Sequence, residues 1–210
     1  MIALVLAGGS VHADARLHER LAGADMIVAA DGGLRHAEAL GLTPDLLVGD
    51  LDSVQATDLD RWPDLPQERF PTDKDALDLE LAIDAAWARG AHEVRVVGAF
   101  GGRLDQSVAA ALVALRYAAE GLRVALLDGR HDAHPLGPGD LFDEALPDGT
   151  VFSLLAVGAP ATLDVSGATY DLTRSELPPG VGLGLSNQAR GGPRVRVHAG
   201  QVLLIVEWHE

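Results

Sequence analysis

Uninterrupted apolar runs of strand length alternate with segments of helical periodicity through the first 127 residues of the chain. The apolar runs cover residues 2–7, 26–30, 46–48, 94–98 and 124–127, and such runs are typical of strands buried on both faces. Between them, apolar residues recur at helical spacing over residues 14–22, 34–40, 76–89 and 104–120. This repeated alternation predicts an α/β fold with a doubly wound, mainly parallel sheet.

The pattern changes after Asp128. Residues 129–147 are rich in Gly, Pro, His and Asp, which favours turns. Strand-like runs follow at residues 150–157, 161–165, 182–187, 194–199 and 202–208, and residues 198–201 are typical of a hairpin turn. We therefore predict a domain boundary near residues 128–135, with a Rossmann-like α/β domain before it and a small all-β domain after it.

Charge and composition exclude several classes of protein. The chain has 210 residues, with 16 Lys and Arg against 31 Asp and Glu, so its formal net charge is −15. This balance argues against binding nucleic acid or an anionic membrane surface, which both attract clustered Lys and Arg. The absence of cysteine excludes disulfides, thiolate nucleophiles and cysteine-ligated metals. No apolar run has the length of a membrane span, and residues 1–7 lack the basic segment of a secretory signal, so we expect a cytoplasmic protein.

The acidic residues are concentrated in one part of the chain. Residues 45–84 contain 12 acidic and three basic residues, and one of the basic residues, Lys74, is the only lysine in the sequence. Acidic stretches are commonly a solvated surface, and that interpretation stays open for part of this one. The rest coincides with motifs that follow predicted strands, where ligands bind in open α/β sheets.

Carboxylates follow the second and third predicted strands. Asp31 precedes Gly32, while Asp50 and Asp52 bracket a single residue and converge on one point if the backbone stays extended. Like charges at such close range repel each other unless a cation lies between them, and Mg²⁺ prefers one or two carboxylates together with phosphate oxygens. We therefore predict a Mg²⁺ site here; the alternative is that Asp52 or Ser53 caps a following helix.

Glycine-rich turns follow the first and fourth predicted strands. Gly8 and Gly9 follow the first strand, where they either let the backbone approach a phosphate or form a plain turn. Gly101, Gly102 and Arg103 precede the last predicted helix, and the amides of a helix start together with a guanidinium favour phosphate binding. The chain has no Walker motif, so any phosphate site is of another kind.

A third acidic motif leads into the helix predicted at residues 76–89. Asp75 and Asp78 are three residues apart, which places them on one face near the helix start, and Lys74 precedes them. Acidic residues also belong in a first helical turn on electrostatic grounds alone. The strand-end carboxylates and the Gly-Gly-Arg helix start together predict a Mg²⁺–nucleotide site for phosphoryl-type transfer.

Five motifs in this order resemble the thiamine pyrophosphokinase family over almost the whole chain. They are Ala-Asp-Gly-Gly at residues 30–33, Gly-Asp-Leu-Asp-Ser at 49–53, Asp-Lys-Asp-Ala-Leu-Asp-Leu-Glu at 73–80, Gly-Gly-Arg-Leu-Asp-Gln at 101–106 and Leu-Ser-Asn at 185–187. The resemblance implies a nucleotide-binding catalytic α/β domain over residues 1–130, a thiamine-binding β-sandwich over residues 131–210, and a homodimer with active sites between subunits. It also implies transfer of the β,γ-pyrophosphoryl group of ATP to the thiamine hydroxyl, giving thiamine diphosphate and AMP.

The motifs and the resemblance together give the candidate site residues. The expected metal ligands are Asp31, Asp50, Asp52 and Asp78. The expected ATP contacts are Gly8, Gly9, Asp31, Gly32, Gly101, Gly102, Arg103 and Asp105, and the expected thiamine contacts are Gln106, Ser186 and Asn187. We expect Lys74 and Arg103 to compensate charge on the phosphates, with Asp78 or Asp75 accepting the hydroxyl proton.

The chain departs from the family's pattern at two positions, and two other functions stay open. Bacterial members commonly carry Thr where this chain has Leu77 and often carry His where it has Gln106. One alternative is a Mg²⁺-dependent pyrophosphokinase acting on a pterin-like alcohol, which should lack the Ser-Asn pair at residues 186–187. The other is a non-catalytic sensor that binds a nucleotide or thiamine diphosphate, against which the intact Asp50 and Arg103 argue.

Overall fold

The structure, a computed structural model, describes residues 1–73 and 75–208, so the roles predicted for Lys74 lie outside the described residues. The chain divides into two units. The first is formed by Met1–Val113 and Leu122–Gly129, and the second by Ala114–Gly121 and the chain from Arg130 onward. Within the described ranges, no helix is both long enough and apolar enough to span a membrane.

Six parallel strands form the sheet of the first unit, in the order β4-β3-β2-β1-β5-β6. They are β1 (Ile2–Leu6), β2 (Met26–Ala30), β3 (Leu46–Gly49), β4 (Gln67–Arg69), β5 (Glu93–Val97) and β6 (Arg123–Leu127). The strands β1 and β3 are apolar and almost wholly buried, as expected of strands covered on both faces. Because β1 lies between β2 and β5, the chain leaves β1 in one direction along the sheet and later returns to its other side.

Four of the five described helices begin and end within two residues of the predicted segments, and the short helix over Ala56–Arg61 was not predicted. The helices are α1 (Ala15–Leu21), α2 (Arg35–Ala39), α3 (Ala56–Arg61), α4 (Asp78–Ala88) and α5 (Leu104–Ala119), with a 3₁₀ turn at Asp31–Leu34. Asp14 caps α1 by accepting a hydrogen bond of 2.6 Å from the Leu17 N–H. Helix α4 lies against β1, β2 and β3, and its buried residues include Leu79 and Ile83. Its N-terminus is thereby brought to the carboxyl ends of these strands.

Antiparallel strands make up most of the second unit. They are β7 (His131–Leu136), β8 (Leu141–Phe142), β9 (Val151–Ala168), β10 (Leu172–Leu177) and β11 (Asn187–Glu207), paired in the order β10-β9-β11-β7 with β8 also on β11. Alternate residues of β9 and β11, such as Phe152, Leu154 and Leu204, form the core of this unit. The predicted mixed α/β class with a large sheet is therefore confirmed.

Three predictions for the second unit are wrong. The hairpin turn predicted at residues 198–201 is a register shift inside the continuous strand β11. Gly200 is the reason, because a Cβ there would lie 2.6 Å from the Pro160 oxygen, so the glycine marks a close approach rather than a turn. The strand predicted at 182–187 is a 3₁₀ turn over Gly182–Gly184, and the turn-rich region 129–147 contains β7 and β8.

Candidate active site

Three predicted carboxylates come together at one edge of the first unit's sheet. Asp31 opens the 3₁₀ turn after β2, Asp50 follows β3, and Asp78 is the first residue of α4. One carboxylate oxygen from each residue lies within 4.8 Å of the others. The strands β2 and β3 are parallel neighbours, so their carboxyl ends meet at the same edge and bring Asp31 and Asp50 close together.

The backbone around this group makes room for the three side chains. Gly49, the last residue of β3, has a φ of +146°, and a Cβ there would lie 3.0 Å from the Asp31 Cβ and 3.1 Å from the Asp78 Oδ1. Asp31 itself has a φ of +45°, a left-handed conformation that is uncommon outside glycine. A glycine at 49 thus keeps open the space in which the carboxylates of Asp31 and Asp78 lie.

The burial of Asp31 is of the kind that a bound cation would compensate. Asp31 is only 8% exposed, and its Oδ1 is buried with no hydrogen-bond partner among the residues that the structure describes. A buried carboxylate oxygen without a donor is costly unless a positive charge compensates it. Three carboxylate oxygens are ligands that suit Mg²⁺, so the residues present fit the predicted metal.

Asp52 is not part of this three-carboxylate group. The expectation that Asp50 and Asp52 converge depended on an extended backbone, but Leu51 between them has a φ of +65°. The Asp50 Oδ1 accepts a hydrogen bond of 3.3 Å from the Asp52 N–H, while the exposed Asp52 carboxylate accepts one of 2.9 Å from the Ser53 Oγ. Asp52 does not cap α3 either, because that helix begins after Gln55 without a side-chain cap.

The turns after β1 and β5 pack closely on each other. The Gly9 N–H donates a 2.7 Å hydrogen bond to the Gly98 oxygen, and the Ser10 N–H donates one of 2.6 Å to the Phe100 oxygen. A Cβ at Gly9 would lie 2.4 Å from the Gly98 oxygen, so glycine is required there for packing as well as for any ligand. Since β1 and β5 are the strands at which the sheet order reverses, this loop pair lies where open α/β sheets bind ligands.

The predicted phosphate-binding arginine lies exposed at the start of α5. The Arg103 guanidinium donates to both carboxylate oxygens of Asp105, at 3.1 and 2.6 Å, and both side chains are largely exposed. The hydrogen bond from Arg103 holds the pKa of the Asp105 carboxyl below its ordinary value, and the same bond raises the pKa of Arg103. An exposed pair of this kind contributes little stability, so its main effect is to orient the guanidinium. Gln106 follows on the exposed surface of the same helix.

The start of α4 has half of a capping motif. The Leu77 N–H donates a 2.9 Å hydrogen bond to the Glu80 carboxylate, but the Leu77 side chain has no oxygen that could accept a bond in return. Asp75 lies exposed in the bend before this helix. A threonine at residue 77 would supply the missing acceptor.

In the second unit, the Asn187 side chain forms hydrogen bonds with backbone groups. Its Oδ1 accepts hydrogen bonds from the N–H groups of Tyr170 (3.0 Å) and Gln188 (2.9 Å), and its Nδ2 donates to the Tyr170 oxygen (2.8 Å). The side chain is buried, so these bonds hold the Tyr170 turn against the start of β11. Ser186, by contrast, is exposed, has a φ of +56° and donates its N–H to the Ser153 Oγ at 3.1 Å.

Tyr170 is an aromatic residue that sequence reasoning missed. Its side chain is 68% exposed although Asn187 fixes both its N–H and its carbonyl. Trp208 is partly buried and packs against the core of the second unit. The only signal in the sequence was a tyrosine in a turn between two strand-forming runs, which many surface tyrosines share.

Comparison with known proteins gives one matching family. A family model described as "Thiamin pyrophosphokinase, catalytic domain" matches residues 17–126, just over half of the chain. No curated protein sequence matches the chain significantly.

Solved structures of similar fold cover the full length of the chain. The thiamine pyrophosphokinase of Bacillus subtilis has a TM-score of 0.86 at 18% identity, with 100% of both chains covered. The enzyme of Geobacillus thermodenitrificans has a TM-score of 0.83 at 26% identity, with 100% of this chain and 99% of that chain covered. The enzyme of Candida albicans has a TM-score of 0.81 at 18% identity, with 99% of this chain and 89% of that chain covered.

Proposed function

Because this chain belongs to the thiamin pyrophosphokinase family, it is a thiamine diphosphokinase, and we propose that Asp31, Asp50 and Asp78 hold the Mg²⁺ that its reaction uses. The reaction transfers the pyrophosphoryl group of ATP to the hydroxyl of thiamine. The observation that carries the metal proposal is the buried Asp31 Oδ1, which lies beside two further carboxylates and has no donor among the described residues. A Mg²⁺ ion held by these three residues would supply positive charge to neutralise the transferred phosphates. Asp52 lies exposed outside this group and would add negative charge near the metal rather than a fourth ligand.

The phosphates of ATP are assigned to the loops at the carboxyl ends of the first unit's strands. Gly8 and Gly9 after β1, and Gly32 beside Asp31, present backbone that can approach closely because these residues carry no side chain. Gly101 and Gly102 with Arg103 supply the second set of contacts at the start of α5, where Asp105 orients the guanidinium. Lys74 is assigned to the same phosphates on sequence grounds.

The thiamine end of the reaction is assigned to the second unit and to Gln106. Thiamine is a cation, and the exposed ring of Tyr170 offers an aromatic face of the kind that binds organic cations. The exposed Ser186 hydroxyl is a polar contact for the pyrimidine, whereas Asn187 positions Tyr170 rather than binding the substrate itself. The acidic charge of the chain also favours the approach of a cationic substrate.

The protein's contribution to the chemical step is alignment and charge compensation. Attack of the thiamine hydroxyl on the β-phosphorus needs the two groups held in line, which fixed loops and oriented cations provide. Asp78 or Asp75, at the start of α4, accepts the hydroxyl proton in this scheme. No separate strong base is required, which agrees with Gln106 standing where a histidine often occurs in the family.

We propose that the protein is a cytoplasmic homodimer with a Rossmann-like first unit and a β-sandwich second unit. Leu104, Val108 and Leu112 recur every four residues along α5 and are 78%, 52% and 52% exposed, and such an apolar stripe favours burial against a second copy. The parallel order of the first unit supports a doubly wound, Rossmann-like sheet, and the long antiparallel pair β9 and β11, with its register shifts, supports a β-sandwich in the second. A cytoplasmic location is included because ATP is available there.

Product analysis tests the function directly. The purified protein is incubated with ATP, Mg²⁺ and thiamine, and the nucleotides and thiamine esters are separated by chromatography. We expect AMP and thiamine diphosphate in equal amounts, and neither product after chelation of the metal. Formation of ADP with thiamine monophosphate would contradict pyrophosphoryl transfer. Binding of both substrates without any AMP would instead support the sensor function.

A further inference from the structure

Arg35 connects two of the loops that the proposed function assigns to ATP and metal. It is the first residue of α2, and its Nη2 donates to the carbonyl oxygen of Gly8 and, at 3.2 Å, to that of Gly9. Its Nη1 donates to the Gly32 oxygen at 3.3 Å. One guanidinium therefore joins the turn after β1 to the turn that contains Asp31.

These bonds complete the fixation of two successive peptide groups. In the first peptide, the Gly8 oxygen accepts from Arg35 while the Gly9 N–H donates to the Gly98 oxygen at 2.7 Å. In the second, the Gly9 oxygen accepts from Arg35 while the Ser10 N–H donates to the Phe100 oxygen. Each peptide is thus held at both ends, by α2 on one side and by the turn after β5 on the other, and cannot rotate without breaking a bond at each end.

His36 supports the same loop from the next position. Its Nε2 lies 2.9 Å from the Gly9 oxygen, and because a carbonyl only accepts hydrogen bonds, Nε2 carries the proton. Burial lowers the pKa of His36, so the ring is neutral near pH 7 and acts as a plain donor. The positive charge on this loop therefore comes from Arg35, which offsets the partial negative charge of carbonyls that would otherwise repel a phosphate.

We propose that Arg35 is a positioning residue for this reaction, because it fixes the Gly8–Gly9 loop in the orientation that receives the phosphates of ATP. The inference rests on the proposed assignment of that loop to ATP. The planar fork of arginine bridges three carbonyls from two loops, whereas lysine offers a single point of charge and cannot do so. The geometry of the donor therefore matters more than its charge, and this distinguishes positioning from a direct charge effect on the phosphates.

The test compares Arg35→Gln and Arg35→Lys with the control Arg61→Gln. Arg61 lies in the same unit and forms an exposed ion pair of 2.9 Å with Glu38 of α2, so its loss removes the same charge without touching the loop. The measurements are the Kd for ATP with Mg²⁺ by calorimetry, the KM values for ATP and thiamine, kcat, and the melting temperature.

We expect both Arg35 variants to weaken ATP binding about tenfold and to raise the KM for ATP to the same extent, with the KM for thiamine unchanged within about twofold. Arg61→Gln should match the wild type. The proposal is overturned if Arg35→Lys restores wild-type ATP affinity, since charge alone would then suffice. It is also overturned if both KM values and the melting temperature change together, since the role would then be structural, or if Arg35→Gln equals the control. Because ATP binding is measured without thiamine, a wild-type protein that binds ATP but makes no AMP contradicts the proposed function alone, and one that binds no ATP overturns both.

Discussion

Replacing Asp31 by asparagine should make the metal-free protein more stable while removing most of its response to Mg²⁺. Asp31 places a buried carboxylate within 4.8 Å of the carboxylates of Asp50 and Asp78. In the absence of a cation, the fold must bring these like charges together, whereas the unfolded chain separates them. The isosteric amide removes one charge and keeps the volume of the side chain.

The magnitude follows from the separation of the charges. Two unit charges at this distance repel by about 3.5 kcal/mol at an effective dielectric constant near 20, and by about 0.9 kcal/mol in water. Asp31 is buried but its two neighbours are half-exposed, so we expect a gain of about 1–3 kcal/mol in the metal-free state. In the wild type, Mg²⁺ at about a hundred times its Kd contributes about 2.7 kcal/mol, or roughly 5–10 °C in a chain of this size.

Calorimetric melting with chelator and with saturating Mg²⁺ measures both effects. The Asp31→Asn variant should melt higher than the wild type in chelator and shift by less than about 2 °C on adding Mg²⁺. Asp60→Asn is the matched control, because it removes the same charge from the exposed surface of α3 in the same unit. If Asp31→Asn kept the full Mg²⁺ response of that control, the assignment of the cation to this group would be refuted.

Three further predictions test other parts of the structure. Tyr170→Ala should raise the KM for thiamine about tenfold and leave the KM for ATP unchanged, while Tyr170→Phe, which keeps the ring, should match the wild type in steady-state kinetics. Leu77→Thr should stabilise the protein by about 1 kcal/mol in urea unfolding, because the hydroxyl completes the capping box with Glu80; a loss of stability would contradict this. Burial lowers the pKa of His36 below its ordinary value of 6.5. As the pH falls, the unfolded chain therefore protonates His36 at a higher pH than the folded protein does. The contribution of neutral His36 to the free energy of unfolding is therefore complete above about pH 6.5 and decreases as the pH falls below that value. Between about pH 7 and pH 5, the free energy of unfolding should decrease less in His36→Gln than in the wild type.

The buried strands of the first unit could be predicted because their signal is continuous apolar sequence. The prediction for residues 26–30 matches β2 in full, and the other four runs differ from their strands by one or two residues. Strand β4 was missed, since Gln67–Arg69 is polar throughout and lies at the sheet edge, where no core selects apolar residues. Strand β7 was missed for the opposite reason: it is largely buried, yet it carries two histidines, an aspartate and a proline that favour a loop.

In the second unit, Gly200 led to the wrong prediction of a hairpin turn at residues 198–201. Gly200 lies between two strand-forming runs, and the usual reason for glycine in that position is a turn. Here it allows β11 to pass close to Pro160 while the pairing with β9 shifts register, so two predicted strands are one. Whether Gly200 forms a turn or allows a close approach of another strand depends on Pro160, about 40 positions away. The sequence around Gly200 does not contain that information.

The candidate site could be predicted as a set of positions but not as a geometry. The ends of two neighbouring strands placed Asp31, Asp50 and Asp52 together, and the family resemblance added Asp78; the structure brings Asp31, Asp50 and Asp78 together and leaves Asp52 outside this group. The divergence of Asp52 depends on the left-handed backbone at Leu51, for which a leucine gives no signal. The use of Asn187 as a clamp on Tyr170 depends on tertiary hydrogen bonds across 17 residues.

The backbone conformation around the three carboxylates destabilises the folded protein. A conformation that is kept in spite of this cost favours a functional explanation. Asp31 and Leu51 both adopt left-handed conformations, with φ of +45° and +65°, and each costs about 1 kcal/mol or more outside glycine. Asp31 also buries an oxygen that no described group hydrogen-bonds. A turn that only joined a strand to a helix would be more stable with glycine at 51 and a neutral residue at 31. The two buried strands β2 and β3 hold the unfavourable conformations in place, and the result is that negative charge is directed at one point, as a cation site requires.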